Sequence, residues 1–366
     1  MNKTILISCI NSHSYGGYSY WNSFIPSLIK SSKKLKVKIK FICNEESPIL
    51  KYLNKEECIL VKKKISNSIL LRFLYEQFYL PFYIFKKHKC NLYFNAKNIA
   101  PLFLLRKSII AIRNVEPFYC RKNFFSKRFL ILFLKYFLTI ISLKKCFKII
   151  SVSKNTSKII KKYTDKEIIT IPNGVSVNKK LHKKWKYKNS KNFILNSSKI
   201  IPYANQLNLL KIYNHTIKKC KDFPILYLVG GIEDHNYHKK ILQFIKLNNL
   251  HNKVKFFGYL SKEDLNIMMS ECKLFAFSSE MESCPQTILE ARLIGCPIFC
   301  SNIEPMPEFL RKYANYFNPN EIEISAEKLI QARKINKNTS LKDTKFIYDY
   351  DWDNIIKRYI AIFNSC

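Results

Sequence analysis

Apolar positions along this chain come in short runs, each followed by a polar or glycine turn and then by a longer stretch with helical spacing. Runs at 5–10, 37–43, 58–61, 92–94, 109–112 and 147–152 read as strands, with helical stretches such as 69–85 between them. A second series begins at 193–196 and continues at 225–229, 254–256, 274–277 and 297–300. Strands that alternate with helices build parallel sheets covered on both faces. Two such series predict an α/β chain of two Rossmann-like domains, with the lysine- and asparagine-dense segment 175–192 as connector. A length of 366 residues leaves each domain large enough for its own core.

The stretch 124–143 departs from this alternation. At roughly 100° per residue, Arg128, Lys135, Thr139 and Ser142 fall within about 60° of one another. Almost every other position in it is Phe, Leu, Ile or Tyr. A helix this apolar is either covered as part of the first domain or lies against a membrane surface. The basic flanks Arg121, Lys122, Lys127, Lys144 and Lys145 suit an anionic headgroup layer. No window reaches about 18 uninterrupted apolar residues, so no transmembrane helix is expected.

Charge alters the picture more than overall composition does. The net charge is +37, from 63 Lys and Arg against 26 Asp and Glu. Ile, Asn, Tyr and Phe are abundant alongside Lys, as AT-rich coding produces. Such a charge also attracts anions: nucleotide diphosphates, acidic headgroups or nucleic acid. The lysines are spread along the chain and no nucleic-acid module motif accompanies them, so no nucleic-acid partner is expected. Twelve cysteines occur without a CxxC pair or zinc spacing, the usage of a reduced, cytoplasmic chain. The N-terminus enters a strand at once, without signal-peptide organisation.

The chain has only seven glycines, where average usage would give roughly 25. They stand at 16–17, 174, 230–231, 258 and 295. Between the last two lies Glu282-Ser-Cys-Pro-Gln-Thr-Ile-Leu-Glu290, followed by Ala291 and Gly295-Cys-Pro. A helix opening near Pro285 presents first-turn amides without internal partners, an anion site for a diphosphate. Glu290 lies further along that helix, placed to accept from ribose hydroxyls, and Glu282 lies in the loop before it.

This segment resembles the donor-binding signature of retaining family-4 glycosyltransferases of the GT-B fold. Other segments agree in register: Ile171-Pro-Asn-Gly-Val175, Leu228-Val-Gly-Gly231, Phe256-Phe-Gly-Tyr-Leu260 with Ser261-Lys-Glu-Asp264, and Asp349-Tyr-Asp-Trp352. The resemblance covers nearly the whole chain. It implies two Rossmann-like parallel-sheet domains facing across a cleft. Residues 1–175 form an acceptor-side domain, 176–348 a nucleotide-sugar domain, and 349–366 a helix crossing back to the first.

The resemblance implies a bacterial transferase that moves a sugar from a nucleotide-diphosphate donor with retention. The acceptor would be a surface glycan, lipopolysaccharide or lipid-linked saccharide. Glu282 and Lys199 are the expected catalytic residues. Gly17, Ser283, Cys284, Pro285, Gln286, Thr287, Glu290, Gly258 and Tyr259 are the expected donor contacts. Arg113, Asn114 and Glu116 stand where many members carry a histidine, and are candidates for acceptor or sugar contacts. No metal or cofactor is expected, since no Asp-x-Asp motif is present and the nucleotide sugar is a co-substrate. The expected location is cytoplasmic, or peripheral on the inner face of the cytoplasmic membrane.

One departure stands out. The family shows Gly-Arg and then a Lys about five residues on, whereas this chain reads Ser198-Lys199-Ile-Ile-Pro-Tyr-Ala204. Lys199 takes the arginine position and Ala204 the lysine position, so one expected cation is missing. A degenerate member that binds a sugar nucleotide without transferring it, and a nucleotide-sugar epimerase of the same fold, therefore stay open.

Overall fold

In the computed structural model, residues 3–10, 15–119, 127–176, 192–334 and 344–366 are described. Most of the expected connector, 177–191, lies outside them, as do Arg121 and Lys122. The chain forms two compact units, Met1–Gly174 with Tyr348–Cys366, and Val175–Ile347.

The first unit holds a sheet of seven strands: β1 (Thr4–Cys9), β2 (Lys38–Asn44), β3 (Cys58–Val61), β4 (Leu92–Asn95), β5 (Ser108–Ile112), β6 (Lys148–Ser151) and β7 (Ile168–Thr170). Their order is β3-β2-β1-β4-β5-β6-β7, and every pair is parallel. The second unit holds β8 (Phe193–Ser197), β9 (Ile225–Val229), β10 (Val254–Gly258), β11 (Leu274–Phe277), β12 (Ile298–Ser301) and β13 (Ala314–Phe317). These are again all parallel, in the order β10-β9-β8-β11-β12-β13. Both are doubly wound sheets, and each reverses direction beside its first strand. The two Rossmann-like units expected from the apolar runs are present.

Because a strand alternates its side chains, the central strands feed two cores at once. In the first unit Ile5, Ile7, Phe94 and Ala111 pack under helix Tyr15–Lys30 and the C-terminal helix Trp352–Asn364. Phe24 and Tyr359 meet edge to face at 5.0 Å, and Tyr20 meets Trp352 at 5.5 Å. On the other face Leu6, Tyr93, Ile110 and Ile149 pack under residues between β3 and β6, including Leu80, Leu104 and Leu143.

The structure departs from the sequence reading at two strands and at 69–85, and it decides the orientation of the apolar helix that the sequence left open. Strands β7 and β13 were not expected. Each is an edge strand with a single partner, so neither needs an all-apolar run. The stretch 69–85 is not one α-helix: Ile69–Leu74 is α-helical, Tyr75–Ile84 is π-helical, and Phe85–Lys87 returns to α. Pro81 lies inside the π segment; in an α-helix its ring would collide with the carbonyl four residues back. The apolar helix spans Lys127–Lys145 and is inverted relative to a covered helix. Thr139 and Ser142 are buried, while Leu130, Leu134 and Phe137 are more than half exposed.

Gly174 shows why glycine is kept. A Cβ there would lie 2.4 Å from the ring of Trp352, which is itself buried at the head of the C-terminal helix. A Cβ on Gly231 meets nothing within 4 Å. Gly174→Ala should therefore lower unfolding free energy by about 1–3 kcal/mol through overpacking. Gly231→Ala should stay within about 1 kcal/mol of the wild type. Urea melts of both variants check this, and an unaffected Gly174→Ala would mean that the Trp352 ring is not locked.

Candidate functional site

In an open parallel sheet, the two strands flanking the reversal send their following loops apart, and the gap at their carboxyl ends collects ligands. In the second unit those strands are β8 and β11. The loop after β8 carries Lys199 and Ala204, and the loop after β11 carries Glu282. Hydrogen bonds join the loops. Ser278 Oγ donates to the Ala204 carbonyl at 2.8 Å, and the Glu280 amide to the Tyr203 carbonyl at 2.8 Å. Asn205 Nδ2 donates to Glu280 Oε1 at 2.8 Å, and Ser279 Oγ to the Tyr203 carbonyl at 3.3 Å. Asn205 adopts the left-handed conformation (φ 55°) that asparagine tolerates, and so starts helix Gln206–Lys219. Ala204 is buried in this seam.

Lys199 leaves the seam toward solvent and pairs with Glu233 at 3.0 Å, both side chains about half exposed. Glu233 follows Gly230-Gly231 at the end of β9. A Cβ on Gly230 would come within 2.0 Å of the Ser198 carbonyl oxygen, so only glycine lets these two loops approach so closely. The Gly230 amide in turn donates to the Gly258 carbonyl at 2.7 Å, which ties the β10 turn to the same edge.

Glu282 sits in the β11 loop. Burial pushes its carboxyl up to about 7, and the Ser279 hydroxyl pulls part of the way back. Ser279 is held in turn by Ser301 Oγ, which donates to its carbonyl at 2.6 Å. Helix Gln286–Ile294 begins directly after, with Pro285 at its N-cap rather than inside its first turn, and with no side chain capping it. At the other end Gly295 (φ 83°) closes a Schellman turn: its amide donates to Arg292 at 3.1 Å and that of Cys296 to Ala291 at 3.0 Å. The Arg292 guanidinium lies 3.8 Å from the Tyr313 ring and 3.6 Å from that of Phe346, and donates to the Phe309 carbonyl at 2.7 Å. The helix is thereby fixed at its C-terminal end.

Glu290 is buried on this helix and pairs with Lys262 at 3.0 Å. Burial raises its carboxyl above the usual range, and the Lys262 ammonium opposes that shift. Lys262 opens helix Lys262–Glu271, whose cap is Ser261: its Oγ accepts from the Asp264 amide at 3.1 Å and donates to the Asp264 carboxylate at 2.7 Å. The turn Gly258–Tyr259, with Tyr259 exposed, leads into this cap. Neither Lys262 nor Glu233 was singled out from the sequence. Their roles depend on helices and loops meeting in space, and nothing in their local spacing signals it.

Gly17, Arg113, Asn114 and Glu116 belong to the first unit. Gly16 and Gly17 lie in the first turn of helix Tyr15–Lys30, not in a loop. Tyr20 of that helix carries the Arg113 guanidinium 3.6 Å above its ring. The loop after β5 is organised by Asn98: its Oδ1 accepts from the Arg113 and Asn114 amides at 3.3 Å each, and its Nδ2 donates to the Asn114 carbonyl at 2.6 Å. Asn114 Oδ1 then accepts from the Glu116 amide at 2.8 Å. Asn98, also missed in the sequence, is the hub of this loop.

The sequence profile described as Glycosyl transferases group 1 matches residues 177–345. The O-antigen chain mannosyltransferase B of Escherichia coli is 26% identical over 107 residues, 28% of this chain and 27% of that protein. The capsular polysaccharide biosynthesis glycosyltransferase CapH of Staphylococcus aureus is 28% identical over 197 residues, 53% of each chain. The chain thus spans between 27% and 53% of the length of these curated relatives. In fold, the crystal structure of a glycosyltransferase from Rickettsia africae superposes with a TM-score of 0.71 at 19% identity, covering 100% of this chain and 98% of that one. The paired Rossmann-like units are those of the GT-B fold. Residues 177–345, which hold the seam, the β11 loop and the helix after it, are the part of the chain that is similar to the group 1 glycosyl transferases.

Proposed function

We propose that this chain transfers a sugar from a nucleotide-diphosphate donor to a surface-glycan, lipopolysaccharide or lipid-linked saccharide acceptor, with retention. The observation that carries the reading is the reversal point of the second sheet, where Lys199, Glu282 and the opening of helix Gln286–Ile294 share two stitched loops. The likeness to an O-antigen and a capsular transferase supports the acceptor class. The same reading puts the protein in the cytoplasm.

In this mechanism the backbone amides of Ser283, Cys284, Gln286 and Thr287, around the opening of the helix, and the Lys199 ammonium take up charge as the diphosphate leaves. They do this without a metal or a cofactor. Glu290, paired with Lys262, accepts from the ribose hydroxyls, and Tyr259 with Gly258 borders the base. Glu282 contacts the sugar ring, and the acceptor hydroxyl attacks from the face the diphosphate leaves. Arg113, Asn114 and Glu116 hold the acceptor side.

Steady-state kinetics of two variants test the assignment. Glu290→Ala should raise KM for the donor with little change in kcat, because ribose contacts are made equally in ground and transition states. Glu282→Ala should lower kcat. Wild-type kinetics in both would remove the basis of the reading.

Lys199→Ala should cost about 10²–10³ in turnover, the scale of losing one preorganised donor to developing charge. Ala204→Lys in that background should restore part of it, and EDTA should leave the wild type unchanged. Full activity in Lys199→Ala, or loss in EDTA reversed by manganese, would contradict the account.

Glu282 also sets a pH dependence of stability. Its carboxyl titrates near 7 when folded, against an ordinary value of 4.5. Below 4.5 both states are protonated. As pH rises to about 7 the unfolded chain ionises first, so this group's share of stability is lost over that window. Glu282→Gln should therefore match the wild type at pH 4 and exceed it by about 1–3 kcal/mol at pH 8. Denaturant melts at the two pH values measure the difference, and a difference independent of pH would contradict it.

A further inference from the structure

The inverted helix Lys127–Lys145 has neighbours that share its character. It lies on the same face of the first sheet as the π segment Tyr75–Ile84 and the turn Leu102–Lys107. The three are joined to one another. Gln77 Oε1 accepts from the Leu102 amide at 2.9 Å, and Ser142 Oγ from the Ala100 amide at 3.2 Å. The Phe103 ring lies 4.8 Å from that of Phe82 and 6.0 Å from that of Phe78. Their inward residues fill the core, so their outward residues point the same way.

That outward face is apolar. Phe78, Phe82, Phe103, Leu130, Leu134 and Phe137 are between 51% and 69% exposed. An apolar face contributed by three neighbouring elements marks an interaction surface. It is also strongly basic. The segments 69–89, 102–107 and 127–145 contain eleven lysines and arginines against one acid, Glu76. That acid is bridged to Lys97 at 3.0 Å. Lys86 and Lys87 lie 5.8 Å and 5.3 Å from the rings of Phe82 and Tyr83. Rings that insert and ammonium groups beside them match the boundary between acyl chains and phosphates. A second copy of the chain is a poorer occupant, because it would bring the same cations face to face. Among the described residues no helix is long and apolar enough to cross a bilayer, so the face lies on the surface rather than spanning it.

We propose that this composite face docks the protein on an anionic lipid bilayer, with Phe82, Phe103, Leu134 and Phe137 at the acyl boundary and the flanking lysines among the phosphates. The proposal goes beyond the transferase reading and does not depend on the donor assignment. If both hold, the docked face keeps the first unit beside lipid-linked acceptors.

Flotation of the purified full-length chain with phosphatidylcholine vesicles, with and without roughly one-third phosphatidylglycerol, tests it. The wild type should bind the anionic vesicles, bind neutral ones at least about tenfold less, and release as salt rises. Phe82→Ser with Phe103→Ser, and separately Leu134→Ser with Phe137→Ser, should each weaken partitioning by about tenfold or more. Lys86→Glu with Lys87→Glu leaves the apolar side chains in place and should weaken it too, which separates docking from a folding defect. Nucleotide binding by all three variants should match the wild type, so failure here leaves the transferase reading untouched. No binding, equal binding to neutral vesicles, unaffected variants, or a dimer abolished by the same substitutions would each overturn the proposal.

Discussion

The arrangement of the candidate site depends on one constraint, the gap where β8 and β11 part at the reversal of the second sheet. Parallel pairing forces the loops after these strands in opposite directions. The backbone there must then find partners outside the sheet. It finds them across the gap, through Ser278, Glu280 and Asn205. The close approach of Gly230 to the Ser198 carbonyl brings a third loop to the same edge, and its bond to Gly258 a fourth. A residue larger than glycine at 230 would push the Glu233–Lys199 pair away from the seam.

The two acids of the β11 segment differ in environment although they are close in sequence. Glu290 is buried but has an ammonium partner in Lys262. Glu282 has only a hydroxyl to offset burial, and its carboxyl rises to about 7. The two carboxyls are therefore held differently, one by an ion pair and the other by a hydroxyl. This difference suits an ionic grip on ribose for the first and a contact sensitive to developing sugar charge for the second.

Much of the fold was legible because central parallel strands are buried on both faces and must be continuous apolar runs. β1, β5 and β8 are fully buried, and each stands out in the sequence. Ile168–Thr170 and Ala314–Phe317 are short, mostly half-buried edge strands without a fully buried apolar run, and were not seen. The π segment was hidden because Pro81 breaks an α-helix without announcing what replaces it. At the candidate site, the glutamates, the glycines and Lys199 were readable from local motifs. Lys262, Glu233 and Asn98 were not, since each acts on a partner distant in sequence. The polar stripe of helix Lys127–Lys145 misled in one respect: Thr139 and Ser142 turn inward, where Thr139 bonds to the Lys135 carbonyl and Ser142 to the Ala100 amide.

If the seam is a diphosphate site, it should recognise a nucleotide by phosphate and ribose together, even without an acceptor. Calorimetric titration of the wild type with UDP, GDP, ADP and dTDP tests that most directly, paired with the nucleoside monophosphate of whichever binds. The account predicts at least one diphosphate with Kd in about the 1 µM–1 mM range, at least tenfold tighter than its monophosphate. Binding of none of them, or equal affinity for diphosphate and monophosphate, would contradict it.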